Sequence, residues 1–186
     1  MPFPARIGAA LAGASGAVPT FFMRGNRDFV VGERFARETG VTLIEDPTRV
    51  DLYGTPAILM HGDTLCTDDH EYQAFRKRVR DPAWQRMALA RPLAERLQMA
   101  GSLRAGSDRA KEGKAMEIMD VAPAAVDAAF ASSGCALLIH GHTHRPARHE
   151  HLVGGRTCVR WVLPDWYESG GYLEATPDAI RAVSLG

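Results

Sequence analysis

Short apolar runs alternate with longer amphipathic segments along the chain. Runs rich in Val, Ile, Leu and Phe that stop at glycine or proline are typical of buried strands, and the longer segments are typical of helices. Strands that alternate with helices predict a layered α/β fold. The pattern predicts helices at residues 5–16, 32–39 and 123–132, and strands at residues 20–23, 41–45, 50–53, 56–60, 136–139, 157–163, 171–174 and 181–185.

Three of the apolar runs end in the same way, with a glycine turn that carries His, Asn or Asp. These turns read GNRD at residues 25–28, HGD at residues 61–63 and HGHTH at residues 140–144. Open α/β sheets and sandwiches place their ligands at the carboxyl ends of strands. A purely structural turn explains any one of these segments, but it does not explain the placement that all three share. A common site is therefore predicted.

His142 and His144 form the most informative pair in these turns. In an extended chain, residues i and i+2 point the same way, so both imidazoles can face one metal ion or one metal pair. The alternative is a solvated turn. We expect the remaining histidines to be structural or surface residues: His140 on the opposite side of its strand, and His70, His149 and His151 at the surface.

The three turns together resemble those of the calcineurin-like metallophosphoesterases. Longer strings are similar to the branch of that superfamily that acts on UDP-linked diacylated glucosamine in lipid A biosynthesis; they lie at residues 25–29, 34–38, 60–69 and 118–121. The resemblance extends from about residue 5 to the end of the chain. It implies a single domain over residues 1–186, built as a β-sandwich flanked by helices, with a helical lid inserted at about residues 71–114.

The resemblance also implies a metal centre. Asn26, His61 and His142 would hold one Mn²⁺, and His144 would hold a second. Mixed imidazole and oxygen ligands suit such a borderline-hard ion. Arg27 and His142 would be the catalytic residues, because a forked guanidinium can stabilise charge on a phosphate oxygen. The activity implied is cleavage of the diphosphate at the phosphorus nearest uridine, which releases UMP and 2,3-diacylglucosamine 1-phosphate (lipid X).

Further residues match the positions at which the family binds its substrate. An acidic group suits sugar hydroxyl or amide donors, and lysines suit phosphate. Lys111 matches by position only, and a solvated lysine is the alternative. The implied substrate-binding set is Asn26, Arg27, Asp69, Arg104, Ser107, Lys111, Lys114 and His142.

The sequence of this chain departs from the family pattern at its N-terminal end. Members of the family open with a strand that carries Asp-x-His and a second strand that ends in Gly-Asp, and neither motif is present here. We therefore expect an N-terminally truncated domain with one weakly held ion and negligible activity as written. A misassigned start, a split gene and a fragment remain alternatives. The alternative functions are hydrolysis of another nucleotide diphosphate, and an inactive remnant that binds lipid or a partner.

Composition agrees with one globular domain. The 186 residues are 46% hydrophobic and carry no net charge, and neither a nucleic-acid partner nor a protein partner is predicted. No apolar run reaches the ~20 residues of a membrane span. The odd number of scattered cysteines indicates reduced thiols in a cytosolic protein, packed as small residues in or near the core; they are Cys66, Cys135 and Cys158.

The segment at residues 71–114 concentrates basic charge. It holds half of the 22 lysines and arginines, interleaved with apolar residues, of which Leu93, Leu97 and Ala100 share one helical face. Such a segment suits an anionic membrane surface, and a solvated helical lid is the alternative. Together with the resemblance, this predicts peripheral attachment to the cytoplasmic face of the inner membrane.

Overall fold

The computed structural model describes residues 3–111, 118–167 and 169–186. Its helices and strands fall close to the predicted ones, and each predicted strand is present. The helices are α1 (Phe3–Ala17), α2 (Glu33–Thr39), α3 (His70–Val79), α4 (Pro82–Leu89), α5 (Leu93–Lys111) and α6 (Pro123–Ser133). The strands are β1 (Phe21–Met23), β2 (Thr42–Ile44), β3 (Thr48–Leu52), β4 (Thr55–Met60), β5 (Leu137–His140), β6 (Ala147–Val153), β7 (Arg156–Val162), β8 (Gly170–Ala175) and β9 (Ile180–Leu185).

A five-stranded mixed sheet is the centre of the described fold, with strand order β3-β4-β5-β7-β6. The β3–β4 and β6–β7 pairs are antiparallel, whereas β4, β5 and β7 run parallel. The middle strand β5 reads LLIH, and three of its four residues are buried. A short apolar run of this kind is what a strand covered on both faces requires. The carboxyl ends of β4, β5 and β7 therefore lie at one edge.

Helix α6 packs on this sheet and completes the main core. Val126 and Phe130 of the helix are fully buried against Leu138 and Cys158 of the sheet. Burial of such a side chain stabilises the fold by about 1.5–3 kcal/mol. All three cysteines are buried and free, which confirms the prediction that they are reduced core residues.

Two smaller sheets accompany the central one. Strands β1 and β2 form a parallel pair, and β8 and β9 form an antiparallel pair. Helix α2 ends at Gly40, which has φ 71° and donates its N–H to Ala36 O, a left-handed cap that glycine adopts without strain. The fold is thus α/β with mixed sheets. The finer arrangement as two stacked sheets remains a prediction.

The basic segment forms three consecutive helices, α3 to α5. Asp81 lies between α3 and α4. It is the N-cap of α4, because its side chain accepts hydrogen bonds from Ala83 N and Trp84 N, and Pro82 is the first residue of the helix. The predicted apolar face on α5 is uncovered, with Leu93 62% and Leu97 64% exposed. Within the described residues, no helix is long and apolar enough to cross a membrane. A lid role remains a prediction.

Strand β6 is the main element that the hydrophobic pattern does not predict. Its residues read ARHEHLV, and its inward positions are His149, His151 and Val153, so imidazoles stand where apolar residues normally mark a strand. The surface assignment of His151 is wrong. Its side chain is only 18% exposed, its ring lies 5.6 Å from that of Phe130, and its Nε2 accepts a hydrogen bond from Arg160.

Candidate metal centre

The parallel pairing of β4 and β5 brings two of the three predicted turns together. Met60 is in register with His140, so the chain leaves both strands at the same edge. Gly141 N donates to His61 O across 3.1 Å. Gly62, with φ 110°, lies so close to the neighbouring turn that a Cβ on it would come within 2.7 Å of His140 Nδ1. Glycine is required there for both conformation and space.

The third turn, which follows β1, lies directly on His61. Asn26 donates its backbone N–H to His61 Nε2 across 3.2 Å. Gly25 is buried, and a Cβ at this position would lie 2.8 Å from His61 Cε1. The absence of a side chain therefore permits the contact. Arg80 follows the last residue of α3 and holds this turn in place. Its Nη2 donates hydrogen bonds to Arg24 O and Gly25 O at 3.0 and 3.1 Å.

His142 approaches the same imidazole from the β5 turn. Its ring centroid is 4.9 Å from that of His61, in an edge-on arrangement, and 5.5 Å from that of Tyr72. His142 and His144 have φ values of 68° and 56°, which is the left-handed region that non-glycine residues seldom occupy. Backbone strain of this kind concentrates at functional sites.

His61 is held as a neutral imidazole. Burial lowers its pKa below the usual range. The charge on Asp63 opposes this shift, whereas the guanidinium groups of Arg80 and Arg76 add to it. A neutral ring is the form that can ligate a metal ion.

The turn after β4 contains a buried carboxylate, that of Asp63. Asp63 is fully buried, and its Oδ2 accepts hydrogen bonds from Tyr72 Oη at 2.6 Å and from Arg76 Nε at 2.9 Å. Burial alone would raise the pKa of Asp63, but the Tyr72 hydrogen bond and the neighbouring positive charges bring it below its usual value. Asp46 extends the cluster by accepting His61 N–H at 3.1 Å.

The donor chemistry at this edge fits a divalent ion. Two imidazoles and one amide side chain, those of His61, His142 and Asn26, belong to turns that contact one another at Gly25 and Gly141. The part of the chain that the structure describes contains no group of three or more His, Cys, Asp or Glu residues able to hold a metal, so the assignment of Asn26, His61 and His142 as ligands remains a prediction.

His144 faces a different neighbour. Its Nδ1 lies 3.4 Å from Asp165 Oδ2, and its ring lies 6.0 Å from that of Tyr167. The side chain is 46% exposed. Its assignment to a second ion remains a prediction.

Comparison with known proteins identifies the family. No family model matches the chain. The UDP-2,3-diacylglucosamine hydrolase of Xanthomonas campestris pv. campestris is 51% identical over 179 residues, which cover 92% of this chain and 72% of that protein. The hydrolases of the same name from Aromatoleum aromaticum and Xanthomonas axonopodis pv. citri are 51% identical over 165 residues and 49% identical over 179 residues, covering 87% and 92% of this chain and 67% and 72% of the relatives. The chain belongs to the UDP-2,3-diacylglucosamine hydrolase family.

This family was the branch indicated by the sequence strings, so the resemblance is confirmed. The residues that the resemblance implies fall into two groups, one at the candidate metal centre and one along the helices. Asn26, His61 and His142 lie at the edge just described. Arg27 is exposed beside them, and its Nη2 lies 3.8 Å from Asp108 Oδ1 of α5. The turn after β1 therefore contacts the helical segment.

The predicted substrate contacts lie along the helices. Ser107 is half-buried and Arg104 is exposed on α5, one turn or less from Asp108. Asp69 is half-buried, and its Oδ1 caps α3 by accepting a hydrogen bond from Tyr72 N at 3.1 Å. Lys111 is the last residue of α5; its side chain and all of Lys114 lie outside the described residues. The substrate roles of this set remain predictions.

The sequence pattern does not identify the residues that hold the turns of the site in place through hydrogen bonds. Arg76 and Arg80 belong to the basic segment at residues 71–114, for which the sequence predicts an anionic surface as partner, but the structure directs both toward the turns at Asp63 and Gly25. Their i, i+4 spacing on α3 is the signal that could have found them, because residues so spaced share one helix face. Tyr72, one turn earlier on the same face, is the third member.

Proposed function

We propose that the protein hydrolyses the diphosphate of UDP-2,3-diacylglucosamine to UMP and 2,3-diacylglucosamine 1-phosphate. The observation that carries this proposal is the seating of the Asn26 turn on His61 beside His142, in a chain half identical to hydrolases of that name. The relatives' names favour this substrate over another nucleotide diphosphate and over an inactive remnant.

The reaction adds one water molecule. A P–O bond forms between water oxygen and the phosphorus nearest uridine, and the bond from that phosphorus to the bridging oxygen breaks. The bridging oxygen leaves with the glucosamine 1-phosphate, and the proton released by water goes to solvent. Repulsion between the diphosphate oxygens and the incoming nucleophile makes this step slow without catalysis.

Asn26, His61 and His142 would hold one Mn²⁺, and His144 would contribute to a second. When bound, such ions neutralise phosphate charge and lower the pKa of water. The protein prepares this site by keeping His61 neutral through burial. The Asn26 N–H donates to His61 Nε2 in this structure, so ligation of a metal ion at that nitrogen would replace this hydrogen bond.

Arg27 is the residue best placed to bind the diphosphate. Its guanidinium is exposed next to Asn26, and its Asp108 partner is separated by 3.8 Å, with side chains 43% and 59% exposed. An exposed pair of this kind contributes about 0–1 kcal/mol, so exchange of Asp108 for a phosphate costs little. A guanidinium can then donate two parallel hydrogen bonds to phosphate oxygens.

The helical segment supplies the surface for the acyl chains and the membrane. Apolar side chains stand uncovered on α4 and α5, with Met87 51%, Leu89 46% and Leu97 64% exposed. Arg86, Arg91 and Arg96 lie among them in the sequence. Apolar residues interleaved with cations bind anionic bilayers. We therefore propose peripheral attachment to the cytoplasmic face of the inner membrane.

The proposal is tested by measuring UMP release from UDP-2,3-diacylglucosamine. The protein is assayed as residues 1–186 and with the in-frame codons upstream of Met1, with Mn²⁺ and with chelator. UDP-N-acetylglucosamine, which has no acyl chains, is the matched control substrate. We expect chelator to abolish release and Mn²⁺ to restore it. Equal rates on the two substrates would instead indicate a general nucleotide-diphosphate hydrolase, and release unaffected by chelator would exclude the metal role.

Attachment to membranes is tested separately by sedimentation with vesicles. We expect binding to vesicles that contain phosphatidylglycerol and loss of binding when Leu93 and Leu97 are both changed to Ser. These two residues are 62% and 64% exposed, so the change should not unfold the helix. Equal sedimentation of both forms would contradict the assignment of this face.

A further inference from the structure

The turn that carries Arg27 lies against the junction of α3 and α4. This turn, residues 24–29, follows β1. Arg80 holds its first two residues through their carbonyl oxygens. The last residue of the turn, Phe29, is held by Gln85 of α4, a half-buried residue outside the candidate metal centre.

Gln85 donates two hydrogen bonds from its side-chain amide. Its Nε2 donates to Val79 O at 3.1 Å and to Phe29 O at 3.3 Å. Val79 is the last residue of α3, where carbonyl groups have no partner within the helix. The bond to Val79 therefore caps α3, whereas the bond to Phe29 joins two segments 56 residues apart in the chain.

A ring contact accompanies the hydrogen bond to Phe29. The Phe29 ring lies 6.0 Å from that of Trp84, the residue before Gln85, with an angle of 51° between the ring planes. Tilted aromatic pairs at this separation are attractive beyond the area that they bury. Two consecutive residues of α4 thus hold the carbonyl and the side chain of Phe29.

Arg27 lies between two attached points of this turn. Before it, Asn26 N donates to His61 Nε2 at 3.2 Å. After it, Phe29 is attached to α4. The Arg27 side chain is 43% exposed, and its ion-pair partner Asp108 is 3.8 Å away. Since an exposed pair of this kind is weak, the direction of the guanidinium depends mainly on the backbone of the turn.

We propose that Gln85 is a positioning residue for Arg27. By holding the Phe29 carbonyl on α4, it fixes the direction in which the turn presents the Arg27 guanidinium to the substrate diphosphate. A guanidinium donates two parallel hydrogen bonds to phosphate oxygens only when its plane is aligned with them. Gln85 acts through Arg27 and not on the substrate. The inference rests on the proposed function, in which Arg27 binds the diphosphate.

A double-mutant cycle on kcat/KM for UMP release separates positioning from capping of α3. The protein is assayed as residues 1–186 and in the form extended upstream of Met1. Gln85→Met should lower kcat/KM by about tenfold, because displacement of a catalytic group by about 1 Å can cost about 100-fold. In an Arg27→Gln background, the same change should cost about twofold or less, since no guanidinium remains to be oriented. A residue that only caps α3 would cause the same loss in both backgrounds.

Two further variants complete the test. Gln85→Glu applies where Gln85→Met fails to fold, which thermal denaturation detects. Its ionised carboxylate has the size of the amide but no N–H to donate, so the same loss is expected. Gln98→Met is the matched control, because Gln98 is exposed on α5. It should change kcat/KM by about twofold or less.

Calorimetric titration with UMP in the presence of Mn²⁺ reports on Arg27 without turnover. Gln85→Met should weaken UMP affinity by about three- to tenfold. In the Arg27→Gln background, Gln85→Met should leave UMP affinity unchanged.

The outcomes separate this inference from the proposed function. UMP release with equal losses in the two backgrounds would overturn the positioning role and leave the proposed hydrolysis intact. Absence of UMP release from every form would overturn the proposed hydrolysis, and the titration would then decide the role of Gln85. Equal UMP affinities of the wild type and Gln85→Met would overturn the positioning role as well.

Discussion

Arg76 donates its Nε–H to Oδ2 of Asp63 across 2.9 Å, and Asp63 has no exposed surface. The same guanidinium reaches Asp46 Oδ2 at 3.6 Å. Asp63 follows His61 by two residues, and Asp46 accepts the His61 backbone N–H. A cation from α3 therefore holds two carboxylates that fix the turn after β4.

Substitution of Arg76 by Met should destabilise the fold strongly. The change leaves the buried Asp63 charge without its cation, which costs about 3–5 kcal/mol in the free energy of unfolding. Chemical denaturation measures this quantity. The matched control is Arg34→Met, which removes an exposed pair with Glu38 and should leave the free energy of unfolding unchanged within error.

The loss expected for Arg76→Met comes from the unpaired buried charge and not from lost packing. In an Asp63→Asn background, Arg76→Met should therefore cost less, because the fully buried carboxylate is gone and only Asp46, 3.6 Å from the guanidinium, remains to be paired. An equal cost in both backgrounds would contradict the explanation.

The hydrophobic pattern predicts four of the five strands of the central sheet and the turns that carry Asn26, His61 and His142, because apolar runs followed by glycine report local structure. It does not reveal β6, whose inward side chains include His149 and His151. The His151 ring accepts a hydrogen bond from Arg160 in the neighbouring strand. Long-range pairing of polar groups leaves no local signal.

The orientation of α3 could not be predicted for a related reason. A run of cations on a helix normally indicates a solvated face. Here Arg76 and Arg80 turn inward because Asp63 and the carbonyl of Gly25 need donors. Those acceptors become visible only when the turns are assembled.

Gly25→Ala should weaken the site without unfolding the protein. The added Cβ would lie 2.8 Å from His61 Cε1 and 3.0 Å from its Nδ1, so the ring must move. Displaced ligands and their supports typically cost about 10- to 100-fold in metal affinity. Calorimetric Mn²⁺ titration measures the loss.

Gly101→Ala is the matched control for this change. Gly101 lies within α5, and a Cβ there meets nothing within 4 Å. It should stabilise the helix by up to about 1 kcal/mol and leave Mn²⁺ affinity unchanged. Similar affinities for Gly25→Ala and Gly101→Ala would show that the close approach to His61 is unimportant.

Acidification should destabilise the protein through His140. Burial lowers its pKa to about 4 from the ordinary value of 6.5. Between pH 6.5 and about pH 4, the His140 ring is protonated in the unfolded chain but stays neutral in the folded protein. The free energy of unfolding therefore falls as the pH decreases toward about 4. Above pH 6.5 both states are neutral, and this contribution is flat.

His140→Asn isolates that contribution. An amide can donate and accept hydrogen bonds but does not titrate, so the slope of unfolding free energy against pH should flatten between about pH 6.5 and 4. Denaturation at a series of pH values supplies the slopes. A slope identical to that of the wild type would show that His140 is not the group being protonated.

His142→Ala should reduce UMP release by orders of magnitude in the form extended upstream of Met1, because it removes an imidazole 4.9 Å from His61 at the candidate metal centre. Loss of one cation from a two-metal site removes several kcal/mol of transition-state stabilisation. His70→Ala is the control, since His70 is exposed at the start of α3. Mn²⁺ affinity is measured on both variants, so that loss of the ion can be distinguished from loss of substrate contact. Comparable activity of the two variants would remove His142 from the site and, with it, the assignment of the β5 turn as a ligand loop.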